Sequence, residues 1–225
     1  MSFKLWSGKV YPSFKATGFS TKEHFSSKEY LKKIKNRFES DSNKSELNPL
    51  NLALSFLSKN NSIINILDFG GGYGTSIKNA KDFLNSDTNI NYLNIDNKNV
   101  IEIFMNSFSD NRVNIKGSTK INTREKEVFF GINKRLDILL LGSVIQYLEN
   151  ETDWIKKLCS EYKPKYIILD DVHIAKKNFI TTQIYYDYEV PFKFISNKQM
   201  TTILNTINGR IVFTADKTSI FQGEE

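Results

Sequence analysis

Ile63-Ile64-Asn65-Ile66-Leu67-Asp68-Phe69-Gly70-Gly71-Gly72-Tyr73-Gly74-Thr75-Ser76 is the stretch from which the rest of the chain is read. A β-branched apolar run ends in an acid, four glycines follow within five positions, and a helical pattern begins. Such a run stopping in glycines predicts a buried strand over 63–69 that enters a tight turn. Glycines allow positive φ and let a ligand lie against the main chain. The helix expected over 73–85 would turn free N–H groups and its positive dipole end toward that ligand. The plain alternative is a glycine-rich turn that holds nothing.

The spacing narrows the ligand. A Walker loop needs Gly-Lys-Ser/Thr at its end, and the stretch has none. The pattern G-x-G-x-x-G fails, because counting from Gly70 puts Thr75 at the last glycine position. D-x-G-x-G-x-G fits, through Asp68, Gly70, Gly72 and Gly74. This spacing resembles motif I of the class I S-adenosylmethionine (SAM) methyltransferases. The resemblance implies an α/β, Rossmann-like, mostly parallel sheet with helices on both faces and an N-terminal helical and aromatic cap. It divides the chain into a cap segment, 1–60, packed on a SAM-binding core, 61–225. It implies that Asp68, Phe69, Gly70, Gly71, Gly72, Tyr73 and Gly74 wrap the methionine and ribose parts of SAM, with S-adenosylhomocysteine (SAH) as product.

The bulk composition agrees with one α/β domain. The chain has 225 residues, 40% hydrophobic and 25% charged, enough for a sizeable core. No apolar run reaches the roughly 18 residues a membrane helix needs. The N-terminus lacks a signal-peptide apolar core, and a cytoplasmic protein is the expectation. One cysteine, Cys159, excludes internal disulfides and a cysteine-based metal cluster, and its place on a helical face predicts a core residue. The net charge of +6 admits a nucleic-acid partner, but the lysines are scattered along the chain and form no arginine-rich patch. No metal and no nucleic acid are expected; the oligomeric state is left open.

Taken in order, residues 1–25 carry Trp6, Tyr11, Phe14, Phe19 and Phe25 among turn formers. A disordered tail is poor in aromatics, so this segment is expected to pack on the domain. The run Trp6–Ala16 resembles the start of a small family of methyltransferases encoded with bacterial surface-polysaccharide genes. Helices are predicted from Ser26 or Ser27 to about Glu39, with Tyr30, Leu31, Ile34 and Phe38 on one face, and over 49–59. A second strand, 90–95, ends at Asp96, 22 residues after Gly74. A carboxylate there can accept from a ribose diol, and it can also cap the helix expected over 97–108. A third strand fits 112–116. Gly117 and Ser118 follow it where the resemblance places adenine contacts. Residues 119–135 are left unplaced.

A fourth strand fits 137–141. The run Gly142–Glu149 resembles the family's D-x-(apolar)-S-x-x-Q-Y-L segment, which implies that Ser143, Gln146 and Tyr147 approach the reacting end of SAM. For Gln146 the alternative is a helix-surface position. A helix over 151–162 leads to a fifth strand, 166–169, and then Asp170-Asp171-Val172-His173. Methyl transfer to a hydroxyl or amine needs the nucleophile aligned and its proton accepted. His173 is the candidate base, with Asp171 to orient it or to act alone; a loop-capping His173 is the alternative. His24 is a second candidate. The tyrosine-rich run from Thr181, with Tyr186, reads equally as a substrate wall and as a packing β-arm. Trp6, Tyr11, His24, Gln146, Tyr147 and Tyr186 are thus the candidate acceptor-binding residues. A helix over 198–207, a sixth strand, 210–214, and a short seventh, 218–222, complete the expected elements.

The resemblance implies transfer of the SAM methyl group to a hydroxyl or other heteroatom of a small molecule, with a sugar or surface-polysaccharide precursor as the suggested class. An RNA methyltransferase and a non-catalytic SAM-fold binding protein are the alternatives. N-P-P-Y and D-P-P-Y motifs, expected of base or amide N-methyltransferases, do not occur in the sequence.

Overall fold

A computed structural model describes residues 5–40, 49–78, 80–132, 134–185 and 188–215. The elements in chain order are α1 (Thr21–Ser26), α2 (Lys28–Ser40), α3 (Pro49–Leu57), β1 (Ile63–Phe69), α4 (Thr75–Lys78), β2 (Asn89–Ile95), α5 (Lys98–Ser107) and β3 (Val113–Ser118). There follow α6 (Thr123–Phe130), β4 (Ile138–Gly142), α7 (Glu151–Tyr162), β5 (Tyr166–Asp170), β6 (Ile174–Ala175), β7 (Phe179–Tyr185), β8 (Tyr188–Ser196) and α8 (Asn197–Thr206). The chain divides into two compact units: residues 25–145 with 157–170, and residues 1–24 with 146–156 and 171–225.

The first unit is built on a five-stranded sheet of order β3-β2-β1-β4-β5, every pair parallel. That order is Rossmann-like, and it reverses direction next to β1, where open α/β sheets bind ligands. β1 is buried because it is central: Ile64, Ile66 and Leu67 are all sealed from solvent. Leu50, Leu54 and Leu57 of α3 join Ile64, Ile66, Tyr92, Phe104 and Ile138 in one core. Tyr30, Leu31 and Ile34 of α2 are buried or half-buried, as the helical spacing predicts; the Phe38 side chain lies outside the described residues. Asn97, not Asp96, caps α5, accepting from the Val100 N–H at 3.1 Å.

Several expected elements change. The helix expected over 73–85 is α4 followed by a 3₁₀ turn, Ala80–Phe83. That turn docks on α3, where the Ser55 hydroxyl donates to Phe83 O at 3.3 Å. β3 runs on through Gly117 and Ser118, since Ile95 and Ser118 are register partners. The unplaced segment contains α6, capped by Asn122.

The second unit holds the hairpin β7–β8, with the short β6 parallel to β8. The described part of the tyrosine-rich run lies in this hairpin; Tyr186 lies outside the described residues. The aromatic N-terminal segment runs antiparallel along the other edge of β7. Ile184 N–H donates to Leu5 O at 2.8 Å, Ser7 N–H to Thr182 O at 3.1 Å and Tyr11 N–H to Ile180 O at 2.8 Å. These bonds occupy an edge that would otherwise stay open. The expected strand over 210–214 does not form: those residues pair with no described strand and are exposed, Val212 at 74%. A strand needs a partner to satisfy its backbone, and this segment lies exposed beside no described strand. The expected seventh strand lies outside the described residues.

Candidate functional site

The glycine loop leaves β1 at Asp68 and Phe69 and opens α4. Gly70 N–H donates to Ile95 O at 2.8 Å, tying the loop to the end of β2. The loop backbone is left-handed at Gly72, φ 56°, and Gly74, φ 76°. A Cβ on Gly72 would meet nothing within 4 Å, so the main chain there faces open space. A Cβ on Gly71 would lie 2.7 Å from the Asp68 carboxyl carbon and 2.8 Å from Asn94 Oδ1, so the loop rests directly on these two side chains. The Tyr73 ring is buried, and its hydroxyl donates to Leu31 O at 2.9 Å; this residue anchors the loop to α2.

Asp68 is fully buried. Its Oδ2 accepts from the Tyr92 hydroxyl at 2.5 Å, and burial pushes its carboxyl up to about 7, with Tyr92 opposing and the nearby Asp96 charge adding. Asp96 is half-buried at the end of β2. Its Oδ2 accepts from Gly72 N–H at 3.0 Å and its Oδ1 from Asn97 N–H at 2.6 Å. Burial raises its pKa, and these two N–H donors oppose the rise. Ser118 is buried and turned into its own loop, where its hydroxyl donates to Lys120 O and accepts from Lys120 N–H, both at 3.1 Å. Ser143, at the end of β4, is exposed and holds φ 50°, a strained backbone for a non-glycine residue. The structure thus joins Asp96 to the glycine loop by a hydrogen bond at Gly72, with Asp68 packed beneath Gly71.

Sequence reasoning missed Asn94 and Tyr92. Tyr92, Asn94 and Asp96 alternate along β2 and share one face, so the strand period was the available signal. Asn94 is fully buried, and its Nδ2 donates to Gly72 O at 2.7 Å.

In the second unit His173 lies among aromatic rings. Its ring meets Phe192 at 4.9 Å, Phe194 at 5.8 Å and Trp6 at 5.9 Å between centroids, all near perpendicular. His173 Nδ1 is buried with no hydrogen-bond partner, so Asp171 does not orient the ring through that nitrogen. Asp171 holds φ 57°, and its carbonyl accepts from Gln146 Nε2 at 3.3 Å. Gln146 is 1% exposed, so it is no surface residue. The Tyr147 hydroxyl donates to Gln183 Oε1 at 2.6 Å; burial first, then Tyr185 and Asp171, raise its pKa and keep it a neutral phenol. Trp6 also packs on Phe192 at 4.6 Å. Tyr11 bridges to Ile180. His24 is buried against Tyr185 and Tyr188, and burial pushes its imidazole down to about 4. Cys159 is half-buried, with its thiol pushed up to about 11 by burial, far from a reactive thiolate.

Among the described residues, no group of three or more His, Cys, Asp or Glu could hold a metal ion, and no helix is long and apolar enough to cross a membrane.

No protein-family model and no curated protein matches the chain. Solved structures of similar shape include the N-terminal domain of EvdMO1 with SAH bound, at TM-score 0.42 and 12% identity over 80% of this chain and 85% of that one. Another is CalO1, a methyltransferase in calicheamicin biosynthesis, in its SAH-bound form, at TM-score 0.43 and 9% identity over 87% of this chain and 57% of that one. A third is the plantazolicin methyltransferase BamL in complex with a triazolic desmethylPZN analog and SAH, at TM-score 0.40 and 17% identity over 62% of this chain and 50% of that one. The chain spans about half the length of the last two. The strand order, not these likenesses, carries the fold.

Proposed function

We propose that the chain is a SAM-dependent methyltransferase acting on a hydroxyl or other heteroatom of a small molecule. The observation that carries this reading is the Asp96 carboxylate at the end of β2, bonded to the Gly72 N–H of the loop that leaves β1. A ribose diol needs an acceptor there, and the methionine part needs a glycine backbone with open space beside it, as at Gly72. The site residues fit the cofactor on both counts.

SAM supplies a methyl group on a sulfonium, open to in-line attack. In-line attack would break the C–S bond as the new bond to the acceptor forms, and the acceptor's proton would have to leave. In this reading Asp96 accepts the ribose hydroxyls and Gly70–Gly74 hold the methionine part. Ser118, at the end of β3, would border the adenine, and Ser143, at the end of β4, would border the sulfonium. His173 takes the proton through Nε2, since Nδ1 is sealed among the rings, and Asp171 is the alternative base. Trp6, Tyr11, His24, Gln146, Tyr147 and Tyr186 line the acceptor. The partly exposed rings of Trp6 and Phe194 beside polar His173 support a sugar acceptor, whose C–H faces pack on aromatic rings while its hydroxyls seek polar groups.

The test is calorimetry with SAM and SAH, followed by labelled-methyl transfer to nucleotide sugars, small phosphorylated metabolites and RNA. Saturable SAH binding and labelling of a small-molecule acceptor are expected. No binding at millimolar SAH overturns the cofactor reading, and labelling of RNA alone overturns the acceptor class. His173→Ala is expected to slow turnover by about a hundredfold or more, typical for a lost general base, with SAH affinity unchanged.

A further inference from the structure

Asp68 and Asn94 stand opposite each other in the β1–β2 register. Parallel register partners point to the same sheet face. Asp68 is 1% exposed and Asn94 0%. Tyr92 occupies Asp68 Oδ2, and Gly72 O occupies Asn94 Nδ2. The two remaining oxygens, Asp68 Oδ1 and Asn94 Oδ1, are buried with no hydrogen-bond partner. Both side chains converge under Gly71, where a Cβ would touch each of them within 2.8 Å.

The amide orientation is not free. Turning Asn94 over would set its Oδ1 against Gly72 O at 2.7 Å, acceptor against acceptor. Asn94 Oδ1 therefore needs a donor, and an ionised Asp68 offers only another acceptor. A proton on Asp68 Oδ1 would give the acid a donor to offer Asn94 Oδ1, which an ionised carboxylate lacks. Left unpaired, each buried oxygen would lose the hydrogen bonds it makes to water in the unfolded chain.

We propose that Asp68 is a neutral carboxylic acid when the glycine loop is in place, donating through Oδ1 to Asn94 Oδ1, so that Asn94 latches Gly72 in the shape that receives the cofactor. The groups facing Asp68 agree. From β2 they are the neutral Tyr92 and the like-charged Asp96. From β4 the register partner is the apolar Leu140. From the loop it is Gly71. The acid titrates near 7 by burial first. Above that pH Asn94 must turn its amide toward the new charge and release Gly72. Asn94 is thus a positioning residue whose hold on the loop depends on one proton.

Only the binding arm of the test rests on the proposed cofactor. In the first arm, carbon-13 NMR of the aspartate carboxyls follows the ligand-free full chain from about pH 5 to about pH 9. A carboxyl titrating near neutrality, lost in Asp68→Asn and kept in Asp96→Asn, is expected. Asp68 already ionised at the acid end overturns the proposal; that outcome is read on the wild-type chain and needs no folded variant of Asp68. In the second arm, SAH affinity is measured over the same range. Wild-type affinity is expected to weaken by up to about tenfold per pH unit above the midpoint. Asp68→Asn, a permanently neutral donor, is expected to flatten that dependence, and a wild-type slope in that variant overturns the proposal. Failure of SAH to bind at any pH refutes the cofactor reading alone, because the first arm still decides the protonation of Asp68.

Discussion

Gly72 N–H donates to Asp96 Oδ2 at 3.0 Å, so the acid that ends β2 also clamps the turn that leaves β1. Asp96→Ala removes that clamp together with the proposed ribose acceptor. Charge-assisted bonds contribute about 1.5–3 kcal/mol each, so SAH affinity is expected to fall at least about tenfold. Asp96→Asn keeps one acceptor oxygen and should lose less. Calorimetry on the two variants decides it, and an unchanged affinity in Asp96→Ala removes Asp96 from the site.

Gly72 and Gly74 are both left-handed, but they differ in room. A Cβ on Gly74 would lie 2.5 Å from Phe104 Cε2, in the packed core, while one on Gly72 meets open space. Gly74→Ala adds overpacking of about 1–3 kcal/mol to the backbone strain that Gly72→Ala carries by itself. Urea unfolding should rank Gly74→Ala as clearly the less stable. Equal midpoints would mean that Phe104 moves aside freely.

Lys193, half-buried, and the buried Glu151 form an ion pair at 2.6 Å, and Gln199 Nε2 donates to Glu151 Oε1 at 2.8 Å. Lys193→Met strands the Glu151 carboxylate at the first turn of α7. Breaking one side of a buried pair costs about 3–5 kcal/mol, whereas replacing both partners with apolar residues costs far less. Denaturation of Lys193→Met and of the double variant Lys193→Met with Glu151→Leu tests this. A double variant as weak as the single one would contradict it.

His24 is buried, and its folded pKa lies near 4, below the ordinary 6.5. Between these values the unfolded chain binds the proton and the folded chain does not. Stability therefore falls as pH drops from about 6.5 toward about 4. His24→Phe should flatten that part of the thermal-unfolding profile. The same slope in the variant would assign it to other groups.

Much of the first unit was legible along the chain. The apolar run 63–69 is β1 to the residue, and the acids at 68 and 96 sit at its end and at the end of β2. These features are local: a strand of period two, a glycine turn and a cap each follow from neighbouring residues. Other readings failed where the answer lay far away in sequence. Residues 210–214 have strand composition but pair with no described strand, whereas residues 5–11, without regular pattern, line the edge of β7.

The sequence by itself determined where the glycine loop begins, which acids flank it and the βα rhythm around it. Only the tertiary structure decided that Asn94 lies across from Asp68, that Tyr92 binds the same carboxyl, and that His173 is enclosed by Trp6, Phe192 and Phe194. Propensity and period act over a few residues. Register, burial and the pairing of a lone oxygen depend on which distant strand arrives beside it.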